Sequence, residues 1–490
     1  MGAVEVRNRI SNFITSFSSK GRMALDLVEP GDYIEQGMSK DLPPGVDTGL
    51  LYRDVVRIAW PSLVELTLTQ LASMVDLMMV GSLGPWAITS VGLTMQPKFL
   101  LMLMFLAMNV GATALVARYR GQGDQEKANM ILNQAILLTF ILSISASILG
   151  FIFSKPMIAF MGASDARTLA GGTVYLKIQM VGLVLVALTS TITAALRGIG
   201  NSKTAMRYNL IGNGINVIFN YLLIHGHFGF PRMEVAGASI ATVIGQGVSF
   251  VLALMVISRD DQYLHISLGR GFKPSWEYLR RIFNIGLPAM VEQLVMRMGM
   301  IIYSKLVASL GTMAFATHQI GMNIQALSFM SGQAFAISAT SLVGQSLGKK
   351  RADMAEAYSR RTRRIGMMVA IALGLIFFFF AVPIMKLYTD DPLVISEGVK
   401  IFRLIAIIQP FQSSQFILSG ALRGAGDTRT TAVIMLITVL ILRPGLAKIS
   451  ISMLDWGLMG AWIALAVDQL MRSLLVVIRY NSGKWKDIEV

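Results

Sequence analysis

"WPSLVELTLTQL" at residues 60–71 returns, altered, as "LPAMVEQLVMRM" at residues 287–298. Pro61 lies over Pro288, and Glu65 over Glu292. The register then holds without a gap. "GSLGPWAITSVGL" (81–93) lies over "ASLGTMAFATHQI" (308–320), and "GQGDQEKA" (121–128) over "GKKRADMA" (348–355). Further on, "LRGIGNSKT" (196–204) matches "LRGAGDTRT" (422–430), and "VAGASIATVIGQ" (235–246) matches "LMGAWIALAVDQ" (458–469). Matches that keep one order along the chain mark an internal duplication.

The duplicated unit is a membrane bundle. Of 490 residues, 54% are hydrophobic and 14% charged, against roughly 25% charged in soluble domains. The apolar residues come in blocks such as "AILLTFILSISASILGFIF" (135–153) and "MMVAIALGLIFFFFAVPIM" (367–385), each about as long as a bilayer is thick. About 12 blocks can be marked, at 55–82, 87–117, 130–153, 168–195, 205–225, 235–257, 282–309, 313–346, 365–386, 394–421, 430–452 and 457–479. The expected fold is an all-α integral membrane protein, with 12 transmembrane helices as two parallel six-helix repeats around a central cavity. Six is even, so both halves enter the membrane in the same sense. Transporters built this way place substrate between the halves.

A net charge of +15 invites a nucleic-acid partner, but its distribution argues against one. Basic residues gather in every second loop: Arg118, Arg120 and Lys127; Arg197, Lys203 and Arg207; Arg259, Arg270, Lys273, Arg280 and Arg281. Lys349, Lys350, Arg351, Arg360, Arg361, Arg363 and Arg364 form the largest cluster, followed by Arg423, Arg429, Lys484 and Lys486. That alternation is the positive-inside rule. It predicts a plasma-membrane protein with both termini cytoplasmic. The expected organisation is a polar tail (1–50), an N-terminal half (51–257), a cytoplasmic linker with a short surface helix (258–281), a C-terminal half (282–480) and a C-terminal tail (481–490). The N-terminal tail has no apolar signal-peptide core.

Cysteine is absent, which excludes disulfides and thiolate metal sites. No catalytic motif appears, so an enzyme is not expected. Without a GxxxxGK[ST] loop, the drive must come from an ion gradient, the membrane potential or the substrate's own gradient.

Polar residues at membrane depth carry the functional reading. A charge in hydrocarbon costs at least ~2.5 kcal/mol, so it usually faces a cavity or a partner. Asp76 stands in the first segment, and its repeat position holds Tyr303. Glu65 lies three turns earlier, roughly 16 Å along the helix. In the fifth segment Asn216 and Asn220 are four apart, hence on one face. Thr242 stands in the sixth, one turn from Ser239. Carboxylate, amide and hydroxyl oxygens suit Na⁺ or a carboxyl that carries a proton. The asparagine pair serves equally well as a bond between helices. Beyond Na⁺ at Asp76 no metal is expected, because His318 has no histidine or acidic neighbours in sequence. Asp468 pairs structurally with Arg472, four residues on.

Candidates to line the cavity are Glu65, Glu292, the repeat mates Gln96 and Asn323, Gln319, Gln409 and Gln412. Each also suits a bond between helices. The 32 methionines fit an adaptable cavity surface. The expected partners are small organic molecules and membrane lipids. A monomer is expected, with no cofactor besides a coupling Na⁺ or H⁺.

These stretches resemble one family. "MVDLMMVGSLG" (74–84), "ALRGIGNSKTAMRYNLIGNGINVIFNYLLIHG" (195–226) and "VAGASIATVIGQ" (235–246) look like the first half of multidrug and toxic compound extrusion (MATE) transporters. "ASLGTMAFATHQIGMNI" (308–324), "SATSLVGQSLGKKRADMAEA" (338–357) and "ALRGAGDTRT" (421–430) look like the second. The similarity covers about residues 52–480. It implies two six-helix lobes around a V-shaped cavity, exporting organic cations and other drugs in exchange for Na⁺ or H⁺. It also implies an N-lobe ion site at Asp76, Asn216, Asn220 and Thr242. Some relatives carry a second acid where Asn220 stands, and C-lobe acids on helices 7 and 10. Here helix 10 offers Gln412, and Glu292 sits about one turn early. The alternative in the same superfamily is a flippase for lipid-linked precursors, which would want cavity arginines; Arg297 and Arg443 are candidates. Arg443-Pro444 also matches a MATE-like "RP" motif.

Overall fold

A computed structural model describes residues 46–163, 165–259, 261–266 and 272–489; residues 1–45 of the expected N-terminal tail lie outside them. The long helices are α1 Thr48–Gly81, α2 Pro85–Gln122, α3 Gln125–Ile152, α4 Ala166–Gly198, α5 Ser202–His225 and α6 Glu234–Ile257. The second half repeats the series as α7 Trp276–Ala308, α8 Thr312–Gly348, α9 Ala352–Phe379, α10 Pro392–Ala425, α11 Thr428–Ser452 and α12 Gly457–Asn481. Short helices Ser154–Phe160 and Ala381–Lys386 follow α3 and α9 at matching places. The chain is therefore a multi-pass, all-helical membrane protein. From Leu51 onward it forms one compact unit.

The duplication reaches the backbone. Gly84 and Gly311, before α2 and α8, have φ of 113° and 102°; Gly200 and Gly426, before α5 and α11, have 82° and 92°. Only glycine adopts these values without strain. The residue after each of the latter pair anchors the next helix. Asn201 Oδ1 accepts from the Thr204 N–H at 3.4 Å. Asp427 accepts from Thr430 Oγ1 and from Arg479 Nε, both at 2.7 Å.

Among the described residues, ten helices are long and apolar enough to cross a membrane by length and composition. Two long helices fall short of that measure, α5 and α10, and they carry the polar stripes Asn209–Asn220 and Gln409–Gln415. For the α5 stripe, neighbouring helices supply the hydrogen-bond partners that a polar span needs. Proline interrupts α1, α2, α7 and α10 at Pro61, Pro97, Pro288 and Pro410, removing one ladder donor each. Before Pro444, α11 widens into a π turn over Leu436–Leu442, the usual response to a broken ladder.

Each half has its own core. Phe105, Leu176, Met180 and Leu183 close the first, and Phe402, Ile405, Trp462 and Leu465 the second. The halves meet backbone to backbone at the side where the basic loops lie. A Cβ on Gly121 would sit 1.9 Å from the Gln345 carbonyl oxygen, and one on Gly348 2.1 Å from that of Arg118. One on Gly111 would sit 2.6 Å from the Ile282 oxygen. Ser341 Oγ and Gln345 Nε2 both donate to the Gly198 carbonyl, at 3.0 and 2.8 Å. At the other end of α2 and α8, one face stays exposed: Gly92, Gln96, Leu100 and Met104 on α2, and Ala316, Gln319, Asn323 and Leu327 on α8. The cleft is sealed on the basic side and open on the opposite side.

The linker differs from expectation. Among its described residues no separate surface helix forms; its helical part, from Trp276, is the start of α7. The rest is tied to α3, where Gln134 accepts from Ser275 N and donates to the Lys273 carbonyl, and Asn129 accepts from His265 N. The C-terminal tail is docked: Trp485 is fully buried and donates to the Tyr480 carbonyl at 2.8 Å.

Candidate functional site

Helix α5 places Asn209, Asn213, Asn216 and Asn220 in one stripe, because steps of four, three and four follow the helical period. Helix α1 answers with Glu65, Thr69 and Asp76. Asn209 Nδ2 donates to Glu65 Oε1 at 2.7 Å, Asn213 Nδ2 to Thr69 Oγ1 at 2.9 Å, and Asn220 Nδ2 to Asp76 Oδ1 at 2.5 Å. Between Glu65 and Val80 no residue of α1 is buried. Leu68, Leu71, Met74, Val75, Leu77 and Met78 are exposed. Over this span a polar ladder, not a packed face, joins α1 to α5.

Asp76 stands half-buried at the far end of that ladder. Asn220 is fully buried, and its own Oδ1 finds no donor among the described residues. Asn216 Nδ2 lies 3.3 Å from Thr242 Oγ1. Turning that amide over satisfies both of its ends. The nitrogen then donates to Asp76 Oδ2 and Oδ1 at 2.9 and 3.1 Å, and the oxygen accepts from Thr242 N at 3.1 Å. Each asparagine can thus offer N–H groups to a bare carboxylate or a carbonyl oxygen to a cation. The set carries one negative charge and hard oxygens, which suits a monovalent cation or a proton better than a divalent metal. No group of three His, Cys, Asp or Glu that could hold a metal exists among the described residues. The structure brings Asp76, Asn216, Asn220 and Thr242 together.

Sequence reading did not find what surrounds them. Tyr175 of α4 lies beside Thr242 and within electrostatic reach of Asp76. The Tyr175 carbonyl accepts from Ser239 Oγ at 2.9 Å, and Ser239 Oγ accepts from Gln179 Nε2 at 3.1 Å. Gln179 Oε1 accepts from Lys98 Nζ at 2.6 Å. A hydrogen-bonded chain therefore runs from Lys98 through Gln179 and Ser239 to the backbone of Tyr175. Lys98 in "MQPKFLL" was the available signal, a second charge within an apolar segment.

The expected cavity lining divides. Gln96, Gln319 and Asn323 are exposed on the cleft faces of α2 and α8. Glu65 and Glu292 are not cavity groups. Glu65 pairs with Arg197 at 2.9 Å. Glu292, 1% exposed, pairs with Arg423 and accepts from Thr431 Oγ1 at 3.0 Å. A buried carboxylate needs such partners, and Arg197 and Arg423 supply them from the matching "LRG" stretches. Gln409 and Gln412 are buried; Gln409 Oε1 accepts from Ser328 Oγ of α8, and the Gln412 amide has no partner among the described residues. Asp468 holds two arginines, Arg472 as expected and Arg443 at 2.5 Å. His318 is enclosed by Tyr303, Phe315 and Trp462.

Two homologous helical halves around a cleft sealed at one end are an architecture that membrane transporters use. The comparisons agree. The MatE family profile matches residues 61–222 and again 288–448, with Pro61 opening the first match and Pro288 the second, so the chain belongs to the MatE family. It is 27% identical over 448 residues to a probable multidrug resistance protein NorM of Thermotoga maritima, covering 91% of this chain and 96% of that one. It is 26% identical over 373 residues to the multidrug resistance protein MdtK of Pectobacterium atrosepticum, covering 75% and 81%. Among solved structures, an outward-facing conformation of a multidrug resistance MATE family transporter superposes with a TM-score of 0.82. It has 22% identity, over 92% of this chain and 100% of that one.

Proposed function

We propose that this protein is a secondary-active multidrug exporter of the plasma membrane, working as a monomer with both termini cytoplasmic. It carries amphipathic organic compounds outward by alternating access, in exchange for Na⁺ or H⁺. Asp76, Asn216, Asn220 and Thr242 bind the coupling ion. The observation that carries this reading is the half-exposed Asp76 carboxylate against fully buried Asn220, whose carbonyl oxygen has no donor among the described residues. An arriving cation supplies what that oxygen lacks and neutralises Asp76. A neutral Asp76 no longer needs the Asn220 N–H, so the last rung between α1 and α5 weakens, and α1 has no buried side chain there to resist movement. With the basic loops cytoplasmic, the open end of the cleft faces outward, the side from which the ion enters and substrate leaves. The multidrug names of the relatives support the substrate class. A flippase is less well supported, because Arg443 is committed to Asp468.

The test is dye transport in proteoliposomes under separately imposed Na⁺ and pH gradients. Wild type is expected to respond to one gradient, and Asp76→Asn to fall to the level of protein-free vesicles while remaining folded. Wild-type rates from Asp76→Asn would sink the mechanism.

A further inference from the structure

Four arginines near or within the spanning segments are paired with carboxylates. Arg197 and Arg423 pair with Glu65 and Glu292, and Arg443 and Arg472 share Asp468. Arg297 of α7 is different. No carboxylate pairs with it among the described residues. Its guanidinium instead lies 3.8 Å from the centroid of the Phe99 ring, on α2 of the other half. That contact places it at the boundary between the halves, on the open side of the Gly111–Ile282 seal. Phe99 is a neighbour of Gln96 on the exposed face of α2, since residues three apart adjoin on a helix. Arg297 lies 11 residues before the end of α7 at Ala308, about 16 Å along the axis, further than its side chain can reach back to that end. Arg297 and Phe99 are both half-buried there.

An aromatic face offsets part of the cost of a guanidinium at this depth, but it leaves the N–H fork without an anion. That fork matches a carboxylate, whose two oxygens it binds side by side. The flat Phe99 ring beside it suits an aromatic or alicyclic body. A single such charge is too little for a pyrophosphate and enough for one monoanionic group. We propose that Arg297 on its Phe99 platform is a docking site for the carboxylate of an amphipathic substrate, held where the two halves adjoin. The inference rests on the export reading, since it names a substrate-binding residue for the same cleft, but binding tests it without any ion gradient.

The experiment is equilibrium binding to the purified full chain in nanodiscs, using a rhodamine that bears a free carboxylate and the methyl ester of the same dye. Wild type is expected to bind the carboxylate dye. Arg297→Gln should weaken that binding about tenfold or more, the scale of one charge-assisted hydrogen bond, and leave the ester unchanged or tighter. Arg297→Lys should restore part of the loss. A repeat with phosphatidylglycerol in place of part of the phosphatidylcholine separates the two sources of a monoanion. Carboxylate-dye affinity that survives supports a substrate site; displacement by the anionic lipid assigns Arg297 to a headgroup and overturns the proposal. Equal losses for both dyes, or none for either, in variants that elute and melt as wild type overturn it too. Failure of ion-driven transport with the dye difference intact would instead count against the exporter reading alone.

Discussion

The two halves descend from one pattern, and they differ most where their first helix meets their fifth. In the first half, α1 meets α5 through the rungs Glu65–Asn209, Thr69–Asn213 and Asp76–Asn220. In the second, α7 meets α11 through Val295, Met435 and Val439, all buried, with Met296 and Leu440 against them. Continuing the "LRG" match without a gap puts Met435 and Val439 where Asn209 and Asn213 stand. A Cβ on Gly299 would sit 2.6 Å from the Val439 oxygen, so α7 and α11 are nearly in backbone contact. Tyr303, at the position of Asp76, donates to the Ala461 carbonyl at 2.8 Å. Both halves keep the Glu–Arg pair near the basic side. A dry interlocked seam has no substitute for its contacts. A seam of hydrogen bonds can exchange partners with water or an ion at a cost of about 1 kcal/mol per bond. The same fold thus contains one fixed seam and one exchangeable seam, and the unpaired acid lies on the exchangeable one.

The pair that both halves share gives the largest expected effect. Glu292→Gln leaves Arg423 largely buried without its anion, and the usual cost of breaking such a pair is about 3–5 kcal/mol. A clearly lowered melting temperature in detergent is the expected reading; a melt unchanged from wild type would show that the pair is not structural. The next largest converts the dry seam towards the wet one. Val439→Asn buries an amide among Val295, Met435 and Leu440 and should cost about 1–3 kcal/mol, read from the same melt. A neutral result would mean that the second seam admits water, and the contrast between the halves would collapse. The smallest removes one rung. Thr69→Ala deletes the acceptor of Asn213, which is itself partly exposed, and should cost no more than about 1 kcal/mol. A loss as large as that of Glu292→Gln would mean that α1 is held far more rigidly than its exposed side chains indicate.

Much of this was legible in sequence. The prolines, the "SLG" and "LRG" stretches and the glycines at 84, 200, 311 and 426 report local requirements of the backbone, which survive duplication. Asp76 was legible because one charge among apolar neighbours demands a reason, and Asn216 and Asn220 because helical spacing alone puts them on one face. Glu65 and Glu292 were misread for a common reason. Each is polar at depth, and sequence states that a polar group needs a partner without stating which. Arg197 lies 132 residues from Glu65 in the chain, and nothing local links the two.

The sequence alone determined the class of molecule. Block length, charge alternation and repeat order are one-dimensional consequences of bilayer thickness, membrane topology and gene duplication. Tertiary structure alone decided which side of each helix faces the cleft, which carboxylates are neutralised by arginine, and that Tyr175 and the Lys98–Gln179–Ser239 chain lie behind the Asp76 site. Those outcomes depend on the rotation and close approach of whole helices. Rotation is set by small residues such as Gly111, Gly121, Gly299 and Gly348 meeting distant backbone, a many-body choice that no single stretch of residues encodes.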